Sequence, residues 1–561
     1  MKVNALKFRL AALLLLSSSL EIGAAEAPSA GSQIQQIPAA PVLERATPAL
    51  PAAPASAAGA GTLDEASFMV SALRITGARH FTAEELIVTT GFVPDRALTL
   101  ATLRSYASAI TNQYRSAGYF LAQATVPAQD IIAGTVTITV VEGEYGAVVL
   151  RNRSSLSDRL ALGVLGGLDA GDPIVIGPLE SRLLLLSDLP GVRVQSTLVP
   201  GASVGASDLV VDVVPDAGLA GSVDVDNAGS RYTGKFRSGA TLNLNNPFGR
   251  GDVATLRAFT SWQGLDYGRA AYQQKFGLAD AGIAYTALSY DLGREFESLE
   301  AHGRARISSI YARYPLQRSR RSSMYVLASY DAKSFRDTVD VTAVPTITRK
   351  RSSTGMLSVV GDYRDQLGGG GTGRYSVTWS SGQLDIRTPA AQAADALSSR
   401  SDGHYNKLGA SLARLQRVSA SLSVYATLQG QLASRNLDPS EKLALGGEGG
   451  VRAYAEGDVY VDEGHAATLE LRHDIAMGHQ WWTGQLQLAA FVDRASGRLS
   501  REVWSAQPNG RTLTGTGIGL NWFDSRQFVV KAYFAHKLGN NDPWQTSNAD
   551  SRIAISAVKH F

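Results

Sequence analysis

The chain has 561 residues, a formal net charge of +3, 18% charged and 44% apolar residues, and no cysteine. It is too long for one ordinary domain, and its near-balanced charge excludes an extended nucleic-acid footprint. Without cysteine there is no disulfide framework, no Cys-ligated metal site and no thiol nucleophile, and the chain can occupy an oxidising compartment without mispairing.

The chain opens on MKVNALKFRLAALLLLSSSLEIGAAEA. Lys2, Lys7 and Arg9 make a basic start, Leu10 to Leu20 a short apolar core, and Gly23-Ala24-Ala25 a small-residue cleavage site. Residues 1–25 therefore read as a secretory signal peptide, too short to span a membrane as a helix. No later run of 18 apolar residues exists, so any entry into a membrane must use strands. Pro, Ala, Gly and Ser dominate residues 26–66, which predicts a mobile linker rather than a packed element.

Residues 67–142 predict a compact α/β module. FMVSALRITGA reads as a strand. Thr82 and Glu85 form a capping box opening a first helix. Leu100, Leu103, Ala107, Ile110 and Tyr114 recur at helical spacing in a second helix, which Gly118 stops. FLAQATVPAQ and GTVTITVVEGE follow as strands, with Val136, Ile138 and Val140 alternating with threonines. Residues 143–217 repeat this β-α-α-β-β order in YGAVVLRNR, SDRLALGVLGGL, PLESRLLLLSDLPG, VRVQSTLVPG and SDLVVDVVPDA.

From residue 218 a two-residue alternation runs to the last residue. Ala240, Leu242 and Leu244 oppose Thr241, Asn243 and Asn245, and Leu469 and Leu471 oppose Thr468, Glu470 and Arg472. Leu486, Leu488, Ala490 and Val492 oppose Gln485, Gln487, Phe491 and Asp493. About sixteen such strands of roughly 10 residues, the length that crosses a bilayer at a tilt, start near 218, 235, 251, 267, 280, 302, 321, 351, 372, 403, 417, 463, 481, 513, 526 and 551. Turns after even strands look short, whereas 335–350, 384–402 and 494–512 read as long loops after odd strands, as an antiparallel transmembrane β-barrel requires. An even count closes the sheet and leaves no edge in lipid. The chain ends on Phe561, and Lys559 falls on the lipid face near a membrane edge, where it can snorkel.

LALGGEGGVRAYAEGDVYVDEG, residues 443–464, breaks this alternation between the eleventh and twelfth strands. Its glycines suit a backbone packed closely against an inner wall, and a lumen this wide accommodates such a loop. Arg452 in that lumen needs a partner. Asp493 faces inward by alternation on the thirteenth strand, so an Arg452–Asp493 pair is expected to anchor the loop.

VRAY, Val451 to Tyr454, resembles the VRGY motif on the sixth extracellular loop of the outer-membrane assembly and secretion superfamily. FVD, Phe491 to Asp493, resembles that family's F-x-D-x-G motif on the thirteenth strand. The repeated modules resemble POTRA (polypeptide-transport-associated) domains. SDLPGV, 187–192, and NNPFGRGD, 245–252, are similar to the subgroup of two-partner secretion transporters, the TpsB or haemolysin secretion/activation proteins. The resemblance covers roughly residues 67–561. Ala453 and Ala495 stand where the motifs have glycine, although Gly497 follows closely. The family often carries an N-terminal helix that plugs the pore; here only GSQIQQI at 31–37 hints at one, among prolines, and no long plug helix is expected.

The resemblance implies an outer-membrane translocation pore, with periplasmic POTRA modules at 67–142 and 143–217 and a 16-stranded barrel at 218–561. Residues of about 435–462 would form the lumen loop, Val451, Arg452, Ala453 and Tyr454 its motif, and Phe491 and Asp493 the barrel-wall partners. Phe561 would be the C-terminal signal for barrel assembly. The implied partners are a large unfolded exoprotein of haemolysin or adhesin type, the barrel-assembly machinery and outer-membrane lipid, with no nucleic acid and no cofactor.

Other signals read blandly. His465, His473 and His479 lie near each other in sequence, but His465 and His473 fall at opposite ends of one expected strand, and no metal site is expected. LGGGGTGR, 367–374, lacks a following Walker lysine and reads as a periplasmic turn. QRSRRSS, 317–323, reads as a solvated turn beside anionic head groups. No catalytic constellation stands out. The rival functions are an outer-membrane protein assembly factor of the same superfamily, a diffusion porin, which would need no soluble modules, and a barrel enzyme, for which no nucleophile and base can be nominated.

Overall fold

A computed structural model describes residues 28–41, 67–341, 344–479, 482–524, 527–539 and 549–561. The expected signal peptide and residues 26–27 and 42–66 of the expected linker lie outside these residues.

In the first module, Ala72–Thr76 runs parallel to the central strand Thr135–Val141, and Gln123–Thr125 lies antiparallel on its other side. Helices Ala83–Thr90 and Leu100–Ser116 cover one face. The capping box forms as expected, Thr82 accepting from the Glu85 N–H and Glu85 from the Thr82 N–H at 3.2 and 2.9 Å. The expected first strand is broken at Ser71. Its start, Ser67–Val70, instead pairs with Arg96–Thr99, a strand the sequence reading missed. The second module repeats the plan: Glu144–Asn152 parallel to Ala206–Pro215, Val192–Pro200 antiparallel to it, and helices Asp158–Leu165 and Ile176–Ser187 over a Leu/Val core.

Sixteen antiparallel strands close a barrel. Numbered along the barrel, they are 1, Leu219–Asp226; 2, Arg237–Asn245; 3, Val253–Thr260; 4, Leu265–Phe276; 5, Ala279–Asp291; 6, His302–Arg318; 7, Ser322–Val339; and 8, Thr346–Asp365. They continue as 9, Gly371–Ile386; 10, Gly403–Arg417; 11, Leu422–Ala433; 12, Glu463–His479; 13, Trp482–Arg498; 14, Gly510–Asp524; 15, Phe528–Lys537; and 16, Ser551–His560. Strand 16 pairs with strand 1, and Phe561 finishes that seam by exchanging backbone hydrogen bonds with Gly221 at 2.9 and 3.0 Å. The alternation holds in space. Val492, Ile518 and Ile553 are exposed outward, while Asp493, Phe491 and Thr241 are buried inward.

The expected long loop at 335–350 is mostly strand. Strands 7 and 8 stay paired from Val339↔Thr346 down to Ser322↔Tyr363. The outward face carries Arg336 and Arg349 there while Phe335 and Val339 turn inward, so the apolar-out alternation that marks a membrane strand is lost although the ladder continues past the hydrocarbon. Strand 9 likewise runs to Ile386, followed by helix Pro389–Ala396, and strand 13 runs to Arg498. The eleventh strand starts at Leu422, not 417, because Arg417 still belongs to strand 10.

The two motifs left without a physical role, SDLPGV and NNPFGRGD, meet each other. The Asn246 amide donates to Ser155 Oγ at 3.1 Å, the Ser157 N–H to the Gly249 carbonyl at 2.9 Å, and Leu160 and Leu189 close over Gly251. QRSRRSS is therefore not a solvated turn. Arg318 makes a bidentate pair with Asp188 at 2.7 and 2.9 Å, and Arg320 reaches Glu180 at 3.5 Å. The second module packs against this turn and supplies the acids, a contact between distant segments that composition cannot reveal.

Candidate functional site

The connection between strands 11 and 12, residues 434–462, folds into the barrel. Leu443–Ala444 pairs with Tyr460–Val461, which turns the loop into a hairpin. Its glycines serve close approach: a Cβ at Gly450 would lie 2.1 Å from the Leu445 carbonyl oxygen. One side of the hairpin is apolar. Leu445, Val451, Ala453, Tyr454 and Val461 pack on Ala466, Phe491, Ala495, Leu513 and Ala535 of the wall. Removing this surface from water seats the loop without directional bonds.

Direction comes from Arg452. Its Nε and Nη2 donate to the two oxygens of Asp493, each at 2.9 Å, and its backbone N–H adds a third bond at 3.1 Å. Nη1 donates to Glu470 at 2.7 Å, and the guanidinium lies 3.3 Å from the centre of the Phe491 ring. Asp493 is fully enclosed, and its Oδ1 also accepts from Thr468 at 2.9 Å. Strand register explains the assembly, since Thr468 faces Asp493 and Glu470 faces Phe491 across strands 12 and 13. Arg472 pairs with Glu470 at 2.7 Å, so two arginines balance two carboxylates. A bidentate guanidinium–carboxylate pair in such enclosure is strong and geometrically specific.

The expected Arg452–Asp493 pair thus forms and Phe491 stacks beneath it, but Glu470 was missed. The signal was present, because the alternation that put Asp493 inside also put Thr468, Glu470 and Arg472 on one face. Ala453 fits where the motif has glycine because Gly515 faces it: a Cβ on Gly515 would come within 2.8 Å of the Ala453 methyl. Ala495 is buried in the same cluster. Tyr454 is tied to strand 16, its carbonyl accepting from Arg552 at 2.7 Å.

The first half of the loop crosses to the opposite wall. Glu441 lies between Lys333 of strand 7 and Lys407 of strand 10, at 2.6 and 2.8 Å. Asp438 meets Lys350 of strand 8 at 2.7 Å. Burial by itself would raise the Glu441 carboxyl, but the two lysines outweigh it and hold it at about 2. The same contest, won by Lys350, keeps Asp438 below its ordinary range.

Against this loop sits a helix where a mobile linker was expected. Ala30–Gln35 is capped by Ser29 and Ser32 and buried in the lumen. Its first N–H donates to Asp337 of strand 7 at 2.8 Å, Gln35 donates to the Pro439 carbonyl at 2.8 Å, and Tyr460 donates to the Ser32 carbonyl at 3.0 Å. The helix is short, as expected, yet held from several sides. Small residues, which read as linker composition, are what let it approach the loop. A Cβ on Gly31 would lie 2.9 Å from Ser440 Cβ and 3.1 Å from Asp438. Gly31→Leu should displace the helix and raise the mean single-channel conductance in planar bilayers; an unchanged conductance would show that this seat does not restrict the lumen.

The family model for the haemolysin secretion/activation protein ShlB/FhaC/HecB matches residues 205–522, and that for the ShlB-type POTRA domain matches residues 68–143. Among curated proteins, the heme/hemopexin transporter protein HuxB of Haemophilus influenzae (strain 86-028NP) is 27% identical over 479 residues, covering 83% of this chain and 82% of the relative. Among solved structures, CdiB from Escherichia coli superimposes with a TM-score of 0.71 at 19% identity, covering 91% of this chain and 92% of the other. BamA from Haemophilus ducreyi, lacking POTRA domains 1–3, gives 0.51 at 13% identity, covering 88% and 100%.

Proposed function

The chain belongs to the haemolysin secretion/activation protein family, and from that premise we propose that it secretes one dedicated large exoprotein of haemolysin or adhesin type across the outer membrane. It is an outer-membrane transporter with periplasmic POTRA structure, not an enzyme. The observation that carries the proposal is the lumen: a closed barrel whose bore holds a loop pinned to its wall and a short helix.

In this reading both α/β modules are POTRA modules, and the chain divides into a signal peptide at 1–25, a linker at 26–66, modules at 67–142 and 143–217, and the barrel at 218–561. Unfolded cargo first meets the modules. Val192–Pro200 pairs with its sheet on one side only, so its outer edge offers backbone for strand addition, whereas the edge strand Gln123–Thr125 is closed by Thr111, which accepts the Ala124 N–H at 2.9 Å. The contacts of Asp188 and Arg318 hold the second module at the periplasmic mouth, which directs captured segments into the bore. For cargo to pass, helix Ala30–Gln35 leaves and the hairpin shifts. Val451, Arg452, Ala453 and Tyr454, with Phe491 and Asp493, set the resting position to which it returns. Phe561, closing the seam beside Gly221, is the signal read by the barrel-assembly machinery. The aliphatic belt of Val492, Ile518 and Ile553 contacts lipid.

The test compares cells with and without this chain by quantitative proteomics. Loss of one large protein from the medium, with outer-membrane barrel levels unchanged, is the expected result. A general fall in outer-membrane barrels would instead make the chain an assembly factor.

A further inference from the structure

The outward face of strands 6 to 8 carries an arrangement that the transport reading does not use. In the barrel register, Arg304 lies directly opposite Arg336, and Arg336 directly opposite Arg349. One layer nearer the membrane, Arg306 and Arg351 flank Ser334. All five arginines are exposed, and none makes an ion pair among the described residues. Like charges directly across a ladder repel, and Arg304, Arg336 and Arg349 have no acid in register with them; Asp385 stands opposite Arg351 alone, so the row of three is a local cost. The nearest acids at these levels are engaged at the margins, Asp385 with Arg387 and Asp266 with the Thr260 hydroxyl.

The depth of the stack identifies what faces it. On the same outward face the next large apolar pair is Ile310 beside Tyr330, both more than half or about half exposed, as lipid-facing side chains are. Arg306 is four residues beyond Ile310 toward the extracellular end, about 13 Å along the strand. The arginines therefore sit at the head-group level of the outer leaflet. Beside Arg304 and Arg306 the outer wall carries a groove of about 660 Å³, floored by the small residues Ala240, Ala258, Gly268 and Ala287.

We propose that this face binds a phosphorylated glycolipid of the outer leaflet, its phosphates on the arginine rows and an acyl chain in the adjacent groove. The guanidinium fork matches phosphate oxygens in pairs, and several closely spaced cations favour a ligand with more than one phosphate. Such a ligand relieves the repulsion and fixes the rotation of the barrel relative to the leaflet.

The test uses the full-length protein folded in detergent micelles and titrated with lipopolysaccharide, with phosphatidylglycerol and with inorganic phosphate, bound species being read by native mass spectrometry. The expected result is preferential retention of lipopolysaccharide, weakened roughly a hundredfold in Arg304→Ser/Arg336→Ser/Arg349→Ser. Heat-modifiable gel mobility reports that the variant is folded. The corresponding triple lysine variant keeps the charge and should hold at least about a tenth of the original affinity. Equal lipopolysaccharide binding by the serine variant would overturn the proposal. So would equal affinity for phosphatidylglycerol or phosphate, or a lysine variant as weak as the serine one.

Discussion

Arg452→Ala and Asp493→Ala should each cut export of the secreted protein by about tenfold or more at equal transporter abundance, because breaking one side of a buried ion pair strands the other at a cost of about 3–5 kcal/mol. The two are not expected to be equal. Arg452→Ala takes both guanidinium donors from the fully enclosed Asp493, leaving it the backbone N–H of residue 452 and the Thr468 hydroxyl. Asp493→Ala leaves Arg452 its contact with Glu470 and the Phe491 ring. The arginine variant should therefore be the more severe, and the double variant little worse than the worse single, since both remove one interaction. Arg452→Lys should fall between, keeping the charge but losing the fork. Unchanged secretion in both alanine variants, measured as exported protein in the medium, would remove the pair from the transport cycle.

Glu441→Gln should release the other end of the loop. One carboxylate neutralises two lysines from different strands, Lys333 and Lys407, so its loss leaves two ammonium groups side by side with no negative charge between them. Frequent large-conductance openings at neutral pH are expected in planar bilayers, where the unaltered protein stays at its low level. The pH dependence has a definite sign. The Glu441 carboxyl is held at about 2, below its ordinary 4.5. Its contribution is thus complete above the ordinary value and is lost as pH falls through about 2. The unaltered protein should stay closed down to about pH 4.5 and open increasingly toward pH 2, with the glutamine variant lacking that step. Openings that begin well above pH 4.5 would assign the latch to other groups.

Glu470 shows how much of the site was legible. Its inward position followed from simple alternation with Leu469 and Leu471, and its strand was expected beside that of Asp493, yet nothing in the sequence said that it would stand at the height of Arg452. That height is fixed by the pairing of Thr468 with Asp493 and by the path of a loop eighteen residues away along the chain. Arg318 failed for a related reason. Its basic run has the composition of a solvated turn, and only the packing of the second module brings Asp188 to it.

The sequence by itself determined the strand count, the inward and outward faces, the two α/β modules and the Arg452–Asp493 pair. All of these rest on local periodicity, or on a buried charge that demanded the opposite charge on a known face. Tertiary structure alone decided that residues 30–35 pack in the bore, that Glu441 bridges Lys333 and Lys407, and that three arginines stand abreast on strands 6 to 8. Each joins residues far apart in the chain, through strand register and the route of a loop across the lumen. A six-residue helix of small and polar residues has no periodic signal of its own and is held by what surrounds it.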